Sequence, residues 1–115
     1  GGTDEHPAFP TEPIRVGDRL TQYGFSSAGP PPGEPGVYAV CCSAMWVRHG
    51  AEHLLYIGSS ANMFKRVMNP NHPYRVAYNR TGSAYTRYLV IDDFRRVERS
   101  LIRTLRPWLN IQHNG

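Results

Sequence analysis

The chain has 115 residues, 40% of them hydrophobic, which suits one small domain with a modest core and is too many for wholesale disorder. Its formal net charge of +4 favours an anionic partner such as nucleic acid. No apolar run approaches the ~20 residues a membrane span needs, and no basic-then-apolar leader pattern opens the chain.

Gly1 to Gly33 is rich in proline and glycine and poor in apolar residues. Ile14, Val16, Leu20, Tyr23 and Phe25 are expected to pack as a short arm on the core, and Pro30-Pro31-Pro32 favours an extended polyproline II segment. The compact domain is therefore expected over residues 34–115, with the arm, 1–33, separable from any chemistry. Gly36 to Cys42, GVYAVCC, reads as the first strand. Cys41 and Cys42 are neighbours on it, so their side chains point to opposite faces and share neither a metal nor a disulfide. Two such cysteines fit a reducing compartment, the cytoplasm or another. Residues 43–52, with Trp46, read as a long hairpin tip.

His53 to Ile57 reads as the second strand, an apolar run ending at Gly58. Gly58-Ser59-Ser60 reads as a turn. Ser60 is expected to cap a helix from Ala61, with Met63, Phe64 and Val67 on one side and Arg66 about two turns in. Asn69 to Pro73 breaks that helix. Tyr74 to Arg80 reads as a second short helix, Thr81-Gly82-Ser83 as a turn, and Ala84 to Ile91 as the third strand. Asp92 or Asp93 is expected to cap the last helix, Phe94 to about Arg106, which Pro107 helps to end. There is no glycine-rich phosphate loop, no spaced Cys or His set for zinc and no serine-hydrolase motif.

The last helix carries the most chemical information. Phe94, Val97, Leu101, Ile102 and Leu105 recur at helical spacing, and Glu98 lies inside that stripe. A carboxylate there is costly unless it reaches water, pairs with an arginine or holds a cation. One carboxylate completed by waters and phosphate oxygens suits Mg²⁺. The arginines from Arg75 to Arg103 interleave with Tyr74, Tyr78, Tyr85 and Tyr88, a mix that suits phosphate contacts with base stacking or an ordinary solvated surface. Lys65, Tyr74, Arg75, Arg80 and Arg87 are the candidate nucleic-acid contacts.

Five spaced elements act together: Gly36-Val37-Tyr38, Tyr56-Ile57-Gly58, Arg66 ten residues after Tyr56, Glu98 opening ERSLIRTLRPWLNI, and Asn110. Over roughly Gly36 to Ile111 the chain resembles the GIY-YIG nuclease superfamily. The resemblance implies an α+β fold, a small three-stranded antiparallel sheet flanked by helices, with Tyr38 and Tyr56 converging at one end. It implies a metal-dependent DNA endonuclease using Mg²⁺, with Mn²⁺ as a substitute. In that family a tyrosine of this kind is the proposed general base. Tyr38 is read as that base with Tyr56 aligning the water, the reverse remaining open. A free phenol has a pKa near ~10, so cations such as Arg66 and the metal are expected to favour the phenolate. Arg66 is implied to contact the scissile phosphate, Glu98 to hold the metal and Asn110 to support the site. Many family members carry Tyr or His one turn beyond the arginine. Pro70 occupies that position here, and His72 or Tyr74 could take the role. The alternative readings are a nucleic-acid-binding module without turnover, and a small basic interaction domain. DNA or RNA, single or double strand, and oligomeric state stay open.

Overall fold

The central strand dictates the architecture. Gly36–Cys42 (β1) is buried at all seven positions, as a strand covered on both faces must be. His53–Ser60 (β2) and Ala84–Val90 (β3) flank it antiparallel, in the order β2-β1-β3. The computed structural model describes residues 17–42, 53–107 and 109–110, and adds four helices: Gly17–Gln22 (α1), Met63–Val67 (α2), Pro73–Thr81 (α3) and Phe94–Leu105 (α4). The fold is α+β, a three-stranded antiparallel sheet flanked by helices. Among the described residues no helix is long and apolar enough to cross a membrane.

Alternation on β1 sorts the core into two layers. Val37, Ala39 and Cys41 face Leu101 and Leu105 of α4, together with Leu20 and Phe25. Tyr38, Val40 and Cys42 face Met63 and Val67 of α2 and Ala77 of α3. The two cysteines thus lie on opposite faces, both buried and neither in a disulfide. The apolar run Leu54–Ile57 lacks clean alternation because the register shifts opposite Val40/Cys41. This irregularity lets Leu54 and Ile57 face α4 while Leu55 and Tyr56 face the other layer, on the side of Tyr38.

Several local expectations need correction. The strand β2 continues through Ser60, and Asn62, not Ser60, caps α2, its side chain accepting from the Lys65 amide at 3.1 Å. Gly58 remains in the strand. Its lack of a side chain serves close approach, since a Cβ there would collide with the Tyr38 hydroxyl. In the five-residue α2 only Met63 and Val67 are buried, Phe64 is exposed, and Arg66 stands one turn in. α3 opens at Pro73 with His72 as its cap. Asp93 occupies the cap position of α4 without capping it, because its carboxylate accepts from Arg96 Nε at 2.5 Å. The hairpin tip with Trp46, and Ile14 and Val16, lie outside the described residues.

The core does not begin at Glu34. Leu20 is 0% and Phe25 5% exposed within the α4-facing layer. Ser26 N–H donates to Tyr88 O at 2.8 Å and Gly29 N–H to Thr86 O at 2.9 Å, so this segment covers the outer edge of β3. Pro32 O and Glu34 O accept from the Phe64 and Met63 amides, serving the first turn of α2. Arg87 fastens the same segment, donating to Ser26 O at 2.8 Å and Thr21 Oγ1 at 2.9 Å. Leu20→Ala is accordingly expected to lower unfolding free energy by roughly 2–5 kcal/mol. A chain starting at Glu34 should be at least as unstable. Urea denaturation checks both, and an unchanged midpoint would leave these residues a separable surface arm.

Candidate active site

Two clefts open at the end of β2, and Arg66 and Glu98 line both. The larger, about 500 Å³, is also walled by Tyr56, Asn71, Val76, Ile102 and Asn110. The smaller, about 370 Å³, is walled by Ser59, Ser60, Arg95 and Arg99. Because β2 is an edge strand, α2 from one face and α4 from the other meet around it. That meeting brings residues 66 and 98 together.

Tyr38 pairs across the ladder with Gly58, and Val40 with Tyr56, so the two tyrosines are diagonal neighbours on one face. Their ring centroids are 6.3 Å apart. His72 sits against both, at 5.2 Å from Tyr38 and edge-on at 5.6 Å from Tyr56. The turn ahead of α3 puts it there: the His72 amide donates to Asn69 O at 2.9 Å, and Pro73 sets the helix start. His72 Nδ1 accepts from the Tyr74 amide at 3.0 Å. A neutral imidazole whose Nδ1 accepts carries its proton on Nε2. The 2.5 Å contact to Tyr38 is then Nε2–H donating to the phenol oxygen. Between His72 and Tyr74, which the sequence leaves open, it is His72 that reaches Tyr38. Tyr74 packs with Tyr78 at 6.2 Å and onto the core.

Electrostatics separate the tyrosines. Burial, reinforced by Tyr56, raises the Tyr38 pKa well above the ordinary phenol value and outweighs the opposing effect of Arg66. Arg66 does favour the Tyr38 phenolate, as expected of a nearby cation, but less than burial disfavours it. Burial and then Glu98 raise Tyr56 as well. Tyr38, more than Tyr56, raises the Arg66 pKa against the effect of its own burial. Tyr38 is 0% exposed, whereas Tyr56 is partly exposed and lines the larger cleft. Tyr56 is therefore the tyrosine open to the cleft, and Tyr38 lies buried behind it against His72.

Glu98 is half-buried at the edge of the apolar stripe, while Leu101 and Leu105 take its buried centre. Its Oε1 accepts from Ser59 Oγ at 2.6 Å. Among the described residues no three His, Cys, Asp or Glu side chains cluster as a metal site. The donor set is thus one oriented carboxylate in an open cleft, with a hydroxyl behind it. Those are hard oxygen donors with room for water, and they fit Mg²⁺ and not a dedicated zinc cage. Asn110 braces the site: Oδ1 accepts from Ile57 N–H at 2.7 Å and Nδ2 donates to Ile57 O at 2.8 Å. It supplies the pairing that an edge strand lacks, next to Tyr56 and Gly58.

The expected nucleic-acid contacts fare differently. Arg87 is buried and committed to Ser26 and Thr21, so it is not a phosphate contact. Lys65 and Arg80 are exposed and Arg75 is half-buried, but none of these, nor Tyr74, lines the two clefts. Ser59, Val76, Arg95 and Arg99 line them instead. Arg95 was legible, being three residues before Glu98 on one helix and hence on its face. Ser59 was obscured by the reading of 58–60 as a turn.

Burial, with Arg66 nearby, lowers the His72 pKa from 6.5 to about 4. A base with a depressed pKa binds its proton more readily when unfolded. Its neutral, folded form is favoured in full above pH ~6.5, and that stability drains away as pH falls towards 4. The total is roughly 3 kcal/mol. His72→Asn keeps a capping oxygen for Tyr74 but has no such titration. The loss of stability between pH 7 and pH 4 should therefore be smaller in the variant by up to that amount. Urea unfolding at both pH values measures it. Carboxylate titration is common to both proteins and cancels, and equal losses would contradict a buried neutral His72.

No protein-family model, no curated protein and no solved structure matches this chain.

Proposed function

We propose that the protein is a metal-dependent nuclease of the GIY-YIG type that hydrolyses a phosphodiester bond in DNA. The observation that carries this reading is the convergence of Tyr56, Arg66 and Glu98 on one open cleft, with the Tyr38–His72 pair fixed behind them. The spaced motif elements of the sequence supply Tyr38, Tyr56, Arg66 and Glu98 independently.

In this mechanism Arg66 grips two oxygens of the scissile phosphate and offsets the charge that grows in the pentavalent transition state. Tyr38 Oη holds that guanidinium, and the His72 Nε2–H bond holds Tyr38. Tyr56 Oη accepts a hydrogen bond from the attacking water, and its phenolate form takes the water's proton. Ser59 Oγ orients the Glu98 carboxylate towards the cleft. A Mg²⁺ ion on Glu98, or Mn²⁺ in its place, would polarise the phosphate and stabilise the leaving oxygen. Two buried cysteines outside any disulfide suit a reducing compartment such as the cytoplasm.

One observation favours a second reading, a binding module without turnover: burial lifts both phenols, so neither is ionised at neutral pH in the protein alone. Incubation with plasmid, single-stranded DNA and RNA, with and without Mg²⁺, decides between them. The nuclease reading expects scission only with metal. Salt-sensitive binding without scission would select the module.

A further inference from the structure

We propose that the two clefts together form a site for an unpaired nucleotide, with its base in the larger cleft and a phosphate adjacent to the scissile one in the smaller. The inference rests on the nuclease reading for the phosphate that lies between them, at Arg66.

The clefts differ in chemistry. The larger has an apolar wall of Pro73, Val76, Ile102 and Leu109, with Tyr56 beside it and the Asn71 amide available to a base edge. Val76 is 53% exposed, an apolar side chain held in water on the wall of an open cavity. The volume of about 500 Å³ lies within the ~300–1,000 Å³ typical of small-ligand sites and admits one nucleoside. The smaller cleft is cationic and hydroxylic. Arg95 lies over the Phe94 ring at 6.0 Å, and among the described residues neither Arg95 nor Arg99 is ion-paired with a carboxylate. Guanidiniums beside Ser59 and Ser60 suit a phosphate.

Continuity joins the halves, since Arg66 and Glu98 are common to both walls. A strand crossing them alternates phosphate with sugar and base, as the clefts alternate cationic with apolar lining. The apolar wall then selects the form of the strand. In a duplex the faces of the bases are stacked on one another, and only their edges and the backbone meet the protein. An unpaired base offers a face to Val76 and Ile102 and a stacking partner to Tyr56. The site should therefore prefer single-stranded or locally unpaired substrate.

Fluorescence anisotropy with a short labelled DNA strand, alone and in a blunt duplex, tests this in the presence of a chelator, where turnover plays no part. The single strand should bind roughly tenfold more tightly than the duplex, within what one stacked base contributes. Val76→Glu, at an exposed position, should erase that ratio without moving the melting temperature. If it does not fold, Val76→Ser should reduce the ratio. Arg99→Gln should weaken both forms and lower the salt slope by about one. Equal or tighter duplex binding, or an unchanged ratio in a folded Val76 variant, overturns the inference. Cleavage by the parent with Mg²⁺, run in parallel, separates the two claims. Scission with a duplex preference sinks the cleft assignment alone. Strand preference without scission sinks the nuclease reading and leaves the nucleotide site standing.

Discussion

Glu98→Gln should lower the Mg²⁺-dependent cleavage rate by at least about a hundredfold while leaving the fold and DNA affinity in place. Glutamine keeps the size of the side chain and still accepts from Ser59 Oγ through Oε1, so the 2.6 Å bond survives. What it lacks is the negative charge, and without it the cleft should hold Mg²⁺ poorly. Metal assistance can contribute several kcal/mol to a phosphoryl transition state, and each ~1.4 kcal/mol is a factor of ten. The melting temperature should stay level or rise, because a half-buried charge has been removed. DNA affinity should persist because the charge proposed to carry it, on Arg66, Arg95 and Arg99 of the smaller cleft, is unchanged. If Glu98 were only a surface carboxylate, the variant would cleave normally, with any loss traceable to unfolding. Melting, DNA binding and cleavage on one preparation separate these patterns. Cleavage within a fewfold of the parent would remove Glu98 from the metal site and refute the mechanism.

Strand and helix periodicity made most of the fold legible. The runs GVYAVCC and AYTRYLV and the stripe on α4 mark elements whose burial depends on local pattern alone. What the sequence obscured were places where tertiary contact overrides local chemistry. Gly58 followed by two serines has turn composition, yet pairing with β1 and the approach of Tyr38 keep 58–60 in the strand. Leu20 and Phe25 pack on the core as their apolar character implied, but the loop composition around Pro30-Pro31-Pro32 hid that Ser26 and Gly29 bond to β3. Within the site, the identities of Tyr56, Arg66 and Glu98 came from motif spacing. The roles of His72 and Arg87 did not. His72 owes its place to a capping bond and Arg87 to a contact 61 residues away with Ser26, neither of which has a sequence period. Pro70 stands one turn beyond Arg66, where the resembled pattern has Tyr or His, and the turn at 69–72 instead carries His72 to Tyr38.

The tyrosines allow the sharpest test of that division of labour. Tyr56→Phe should reduce the cleavage rate by about a hundredfold to ten-thousandfold, the range for removing a general base, with little change in stability because the ring is only partly buried at the cleft wall. Burial and Glu98 raise the Tyr56 pKa above the ordinary phenol value, so the base form is scarce at neutral pH. Its fraction grows tenfold per pH unit below that pKa. The parent's cleavage rate should accordingly climb with a slope near one from neutral towards alkaline pH. The slope should flatten in Tyr56→Phe. Tyr38→Phe should behave differently. It removes the acceptor of the His72 Nε2–H bond inside the core, and an unsatisfied buried donor costs about 1–3 kcal/mol. It also releases Arg66, so its rate falls through lost positioning while the pH slope remains. Rate against pH for both variants, beside their urea midpoints, decides the assignment. A slope abolished by Tyr38→Phe and retained by Tyr56→Phe would make the buried tyrosine the base and require it to open to solvent during turnover.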